Sequence, residues 1–141
     1  MLEISCGTIP YTVKDGTIYY LLIKNKNGGD CGFPKGHIEA GETEQETALR
    51  ETWEETSVKP MITNGFRHEI SYRMNNGNEK TVVYFLADFK DQVPMRNKDF
   101  EDFTYMILPF DKAYAELTFE SAKTMLKAAN DFLTKDREHW S

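Results

Sequence analysis

The chain is poor in the features that would place it in several large protein classes. It has only two cysteines, Cys6 and Cys31, among 141 residues. They lack metal-ligand spacing and do not make a disulfide framework. No apolar run approaches the length needed to span a bilayer, so no membrane partner is expected. The N-terminal MLEISCGTIPYTV has neither the basic flank nor the apolar stretch of a secretory leader. A reducing cytoplasm is the expected location. Positive charge is not in excess either: 17 Lys+Arg stand against 23 Asp+Glu, a formal net charge of −6. That balance argues against extended nucleic acid as the main partner. No repeat, low-complexity tract or linker divides the chain, so a single domain over residues 1–141 is expected.

Lysine is missing altogether from GHIEAGETEQETALRETWEETSV, Gly36 to Val58, which holds seven glutamates and one arginine. Outside it acids and bases balance at 16 each, so the whole charge imbalance is local. A solvated helix ordinarily mixes signs, with Glu–Lys pairs at i,i+4. This segment does not.

The surrounding pattern is strand-rich. Ile4–Val13 and Thr17–Lys24 flank Lys14-Asp15-Gly16, and Phe66–Met74 and Lys80–Phe89 flank Asn75-Asn76-Gly77; Asp-Gly and Asn-Gly are hairpin turn signals. Thr43-Glu44-Gln45-Glu46 reads as a capping box opening a helix that runs to about Thr56. Asp91–Asp99 is expected to be a loop, Phe103–Leu108 a short strand stopped by Pro109, and Asp111–Leu117 a short helix. Phe119, Ala122, Met125, Leu126, Ala129, Phe132 and Leu133 recur at helical spacing and predict an amphipathic helix on a core. The order predicts an α+β domain of the α/β/α sandwich kind.

On a helical wheel Glu51, Glu54 and Glu55 share one side; Leu49, Thr52, Trp53 and Thr56 fall roughly opposite, with Leu49 and Trp53 an apolar i,i+4 pair expected to face the core. Neighbouring carboxylates repel, by about 0.2–0.5 kcal/mol per exposed i,i+4 pair. They also sit away from the helix N-terminus, where negative charge is favoured. A divalent cation with a preference for hard oxygen ligands relieves that repulsion, and Mg²⁺ or Mn²⁺ bound by a few carboxylates serves phosphate substrates. A Glu-rich solvated face is the alternative on wheel logic alone.

The spacing Gly36, Glu42, Arg50-Glu51, Glu54-Glu55, Val58 closely resembles the signature box of the Nudix hydrolases, which cleave a nucleoside diphosphate linked to another moiety. Thr52 departs from that pattern where a bulky aliphatic is usual, and Ser57 where Gly usually ends the helix. The resemblance implies the Nudix fold, a mixed β-sheet between helices with a loop–helix–loop box. It implies that Glu51, Glu54 and Glu55, helped by the Gly36 carbonyl, hold Mg²⁺, and that Arg50 and Glu42 tie loop to helix. The water-activating base is left open between Glu51, which is favoured, and Glu101 in Phe100-Glu101-Asp102-Phe103.

Further motifs carry the resemblance toward one branch of the family. Phe33-Pro34-Lys35-Gly36-His37, Gly65–Tyr72, Lys80–Ala87 and Leu117–Lys123 look like asymmetrical diadenosine tetraphosphate hydrolases. Cys31 and Met106 stand where Trp is common in that branch. The implied reaction is Mg²⁺-dependent hydrolysis of diadenosine tetraphosphate to ATP and AMP. Tyr72 and Tyr84 are then candidates for base stacking. Lys35, His37 and Lys80 are candidate phosphate contacts, and Arg67 a weaker one. Other Nudix substrates remain open at this stage: a nucleoside triphosphate, a diphosphoinositol polyphosphate or an RNA 5′-triphosphate. So does a catalytically weak nucleotide sensor. Oligomeric state is not legible.

Overall fold

A computed structural model describes residues 2–138. The first hairpin forms on its Asp-Gly turn. Asp15 and Gly16 both take positive φ, 49° and 79°, the combination that lets a two-residue turn match strand twist. The turn joins β1 (Leu2–Lys14) to β2 (Thr17–Asn25) in antiparallel register, Lys14 opposite Thr17. Two short strands follow, β3 (Cys31–Gly32) and β4 (Lys35–His37), then helix α1 (Glu44–Thr56). The second hairpin is β5 (Met61–Arg73) and β6 (Glu79–Asp88). Then come β7 (Phe103–Pro109), α2 (Phe110–Glu116) and α3 (Glu120–Glu138).

The strands make one mixed sheet in the order β3-β2-β1-β6-β5, with β4 added to β1 and β7 to β2. β1 runs parallel to β6, from Leu2 opposite Glu79 to Tyr11 opposite Asp88. Alternation along these central strands splits the core into two layers. Ile9, Tyr11, Val82, Tyr84 and Leu86 face α2 and α3, where Ala113, Met125, Leu126 and Ala129 close a large apolar cluster. Cys6, Val83 and Phe85 face the other way, against Ala48 of α1. The result is the expected helix–sheet–helix sandwich.

Two expectations need correction. Leu49 and Trp53 are not the packing face of α1: Leu49 is half-buried and Trp53 is 38% exposed. The buried stripe is Thr47, Ala48, Thr52 and Thr56. Threonine is tolerated there because every hydroxyl has a partner. Thr52 Oγ1 bonds the Ala48 carbonyl at 2.8 Å and Thr8 Oγ1 of the sheet at 2.7 Å, and Thr56 Oγ1 bonds the Thr52 carbonyl at 2.6 Å. A shared polar contact with Thr8 thus replaces an aliphatic one at position 52. The second hairpin also starts earlier than its apolar pattern suggests, at Met61, because a register shift between Ile62 and Arg67 breaks the alternation.

Candidate active site

Helix α1 is fixed at both ends by its own sequence. Thr43 Oγ1 accepts from Glu46 N at 3.1 Å, and Glu46 Oε1 accepts from Thr43 N at 2.8 Å, the reciprocal box read from the sequence. At the other end Ser57 takes a left-handed conformation, φ 63° and ψ 10°, and its N–H bonds the Trp53 carbonyl at 2.8 Å. That is the position where Gly is favoured, and a side chain there carries strain of about 1 kcal/mol.

Arg50 organises the entrance of the helix. Its Nε donates to Glu42 Oε2 at 2.6 Å and its Nη2 to Glu42 Oε1 at 3.1 Å. Nη2 also donates to the His37 carbonyl at 3.0 Å, so the loop before α1 is tied to the helix. Nη1 reaches Glu51 Oε1 at 3.0 Å and Glu54 Oε2 at 2.9 Å. The Arg50 hydrogen bond holds the Glu42 carboxyl down at about 2.

The glutamates of the carboxylate face differ in environment. Glu55 is pushed up to about 8, first by burial and then by the charge of Glu51, while the Lys35 backbone amide and ammonium pull the other way. Glu51 is also raised, chiefly by burial, against the lowering bond from Arg50. Glu55 Oε2 is buried with no hydrogen-bond partner among the described residues. A buried, unpaired carboxylate oxygen is costly unless something cationic satisfies it. Gly36 lies so close to Glu51 that a Cβ at position 36 would overlap its carboxyl group. Hard oxygen donors, an orphaned carboxylate oxygen and a backbone brought against Glu51 are a donor set that fits a divalent cation. In the described residues the carboxylates do not themselves converge into a complete shell; Arg50 holds Glu51 and Glu54.

Beside Glu55 opens a cavity of about 620 Å³. Lys35, Glu55 and Glu101 line it together with Phe33, Tyr72 and Tyr84, Cys31, Phe103 and Phe119. It therefore joins part of the acidic cluster to an aromatic, apolar space, the form of a small-molecule site. Tyr84 is 4% exposed and meets Phe33 edge-on at 6.1 Å, whereas Tyr72 is 45% exposed. Burial, and then the charge of Lys80, lower the Lys35 ammonium. Glu101 Oε1 accepts from Asn25 Nδ2 at 2.7 Å.

Not every candidate gathers there. Glu51, Glu54, Gly36, Lys80 and His37 are not among the residues that line the cavity. Lys80 is near enough to Lys35 to repel it. His37 Nε2 lies 3.4 Å from Glu3 Oε1. Arg67 is engaged elsewhere, with Nε and Nη2 on the two oxygens of Glu44 at 2.9 and 3.0 Å. Met106 packs against the main core cluster, while Cys31 lines the cavity. Phe119 was counted in the core stripe of the last helix. It precedes α3, is 53% exposed and lines the cavity instead. Its signal was its place just outside the helix, in Thr118-Phe119-Glu120-Ser121. Asp30 and Ser121 line the same cavity; Ser121 belongs to the Leu117–Lys123 motif, whereas Asp30 belongs to no motif of the sequence.

Residues 3–128 match a family model described as the NUDIX domain. The chain is 35% identical over 139 residues to a "Bis(5'-nucleosyl)-tetraphosphatase [asymmetrical]" of Rattus norvegicus, covering 92% of this chain and 94% of that one. The Mus musculus protein of the same description is 34% identical over the same shares. Among solved structures, a C. elegans Ap4A hydrolase in a binary complex superposes with a TM-score of 0.84 at 23% identity, covering 94% of this chain and 98% of that one, which speaks to the fold.

Proposed function

The chain belongs to the Nudix hydrolase family, and on that premise we propose that it hydrolyses diadenosine tetraphosphate to ATP and AMP with Mg²⁺ as cofactor, Mn²⁺ serving in its place. The observation that carries this reading is one cavity lined by Lys35, Glu55 and Glu101 at its polar side and by Tyr72, Tyr84 and Phe119 around its apolar space. A dinucleoside polyphosphate needs both halves: cations and a metal face for the phosphates, aromatic surface for a purine. The rat and mouse relatives support the same substrate.

In this reading Gly36, Glu51, Glu54 and Glu55 hold the metal. Bound metal screens phosphate charge and makes water more acidic. Lys35, with Lys80 and His37, orients the phosphate chain. Tyr84 and Phe119 bound the base, and Tyr72 covers it. Arg50 and Glu42 keep the loop and helix in register. Water attacks phosphorus in line, the P–O bond to the leaving nucleotide breaks, and a carboxylate takes the water proton. Of the two candidate acceptors Glu101 is the better placed. It lines the cavity, whereas Glu51 does not and has its Oε1 occupied by a guanidinium bond from Arg50.

The two thiols are free and buried, which supports a reducing compartment, the cytoplasm; no helix of the described residues is long and apolar enough to cross a membrane. We take residues 1–141 as one domain. Product analysis with diadenosine tetraphosphate and Mg²⁺ tests the function. Equimolar ATP and AMP are expected; ADP as sole product, or no cleavage, overturns the asymmetrical reading. Binding without metal-dependent turnover would make the chain a nucleotide sensor instead.

A further inference from the structure

Glu101 and Glu55 line one cavity. Two carboxylates on one space repel. Glu101 also sits at the end of a long segment, Asp91 to Asp102, that carries no helix or strand. Glu101 is exposed, so its direction is set by what anchors the irregular segment that carries it.

Trp53 occupies an odd place for that reason. It is the exposed aromatic of α1, on a helix whose buried stripe is threonine and alanine. Its ring meets Phe100 edge-on, centroids 6.0 Å apart and planes at 73°. Phe100 immediately precedes Glu101, and its own N–H closes a turn on the Asn97 carbonyl at 2.9 Å. Met95 N bonds the Thr56 carbonyl at 2.9 Å, so the same segment is pinned to the end of α1. On the far side Asn25 Nδ2 bonds Glu101 at 2.7 Å and Lys26 pairs with Asp102 at 2.8 Å. Glu101 is therefore held between α1 and β2, and the α1 contact nearest to it is the Trp53–Phe100 pair, with Met95 bonded to Thr56 further back along the segment.

We infer that Trp53 is a positioning residue: its contact with Phe100 holds the segment that carries Glu101 and keeps that carboxylate facing Glu55 across the cavity. The inference rests on the proposed role of Glu101 as proton acceptor. Edge-on aromatic pairs carry directional preference as well as buried area, so they fix orientation and not only proximity. Alanine at 53 removes the ring and frees the segment; phenylalanine keeps an aromatic edge.

The test combines kinetics with a readout that needs no turnover. With Trp140→Phe as background, Trp53 is the only tryptophan of the chain. Phe100→Ala is then expected to shift its emission to longer wavelength in the metal-free protein; an unmoved spectrum means that the rings do not meet in solution and overturns the inference. Trp53→Ala is expected to lower kcat about tenfold with KM within about twofold, as misplacement of a reacting group does. Trp53→Phe should recover most of that loss. In a Glu101→Gln background, Trp53→Ala should cost nothing more. An equal loss in both backgrounds, or no loss from Trp53→Ala in the parent, overturns the inference. Failure of the functional reading is seen separately, as absence of ATP and AMP from the unmodified protein.

Discussion

Arg50 and Glu42 meet through two parallel bonds, Nε to Oε2 at 2.6 Å and Nη2 to Oε1 at 3.1 Å, while the remaining guanidinium nitrogen bridges Glu51 and Glu54. Only a planar fork can serve three carboxylates and the His37 carbonyl at once. Arg50→Lys is therefore expected to lower the melting temperature nearly as far as Arg50→Ala, read by calorimetry at neutral pH. Full recovery by lysine would show that charge alone suffices. Because Glu42 is held at about 2, its contribution is present above the ordinary carboxylate pKa and is lost as pH falls through about 2.

Glu55 has the opposite sign. Its folded pKa of about 8 lies above the ordinary carboxylate value, so the metal-free fold holds a proton that the unfolded chain releases. That stabilisation is full below the unfolded pKa and is lost as pH rises toward about 8. Glu55→Gln should thus raise the metal-free melting temperature at pH 9 while changing it little at pH 5. The same variant should cut kcat by about 100-fold or more, since a metal ligand is removed. Equal thermal shifts at both pH values would contradict the buried-proton account.

Gly36 is needed for closeness. Alanine there pushes its methyl into the Glu51 carboxyl, the far end of a flexible side chain, so the fold can yield by moving Glu51. Gly36→Ala should keep its circular dichroism spectrum and lose Mn²⁺ affinity, followed by electron paramagnetic resonance of free Mn²⁺, by about tenfold or more. Unchanged Mn²⁺ affinity would remove Gly36 and Glu51 from the metal face.

Ser57→Gly relieves a left-handed residue. Relief of about 1–2 kcal/mol of backbone strain is partly offset by the greater chain entropy of glycine, leaving a gain of about 0.5–1 kcal/mol. The melting temperature should rise by a few degrees with kcat unchanged; a fall would mean that the serine side chain stabilises the cap.

Phe119→Ala removes exposed aromatic surface at the cavity. Stacking of a base on an aromatic ring is worth about 1–3 kcal/mol. KM for diadenosine tetraphosphate should rise at least about fivefold with kcat nearly constant. A drop in kcat alone would place Phe119 outside base binding.

Local signals were legible in this sequence and tertiary ones were not. Asp15-Gly16, Asn76-Gly77 and the Thr43–Glu46 box each act within a few residues, and each forms as read. The carboxylate spacing of residues 51 to 55 and the Arg50–Glu42 pair were legible as well. The burial of α1 was legible in part. The wheel puts Leu49, Thr52, Trp53 and Thr56 on the packing side, and Thr52 and Thr56 are buried; but it makes Leu49 and Trp53 the core pair, and it does not show that Thr8, 44 residues earlier, supplies a partner for Thr52. β3 and β4 have two and three residues, too few for any pattern, and exist through pairing with β2 and β1. Phe119 was misassigned because a residue one position outside a helix continues its period without sharing its packing.

The parallel union of β1 with β6 sets the order in which the molecule can be made. Leu2 pairs with Glu79 and Tyr11 with Asp88, so β1 must wait for residues synthesised far later. Until then β1, whose Ile9 and Tyr11 side is buried at the end, has only β2 and the short β4 to pair with. Long-range parallel pairing is slow and leaves sticky intermediates in the interval. The central strand is therefore both the keystone of the finished protein and one of the last strands to gain its full set of neighbours.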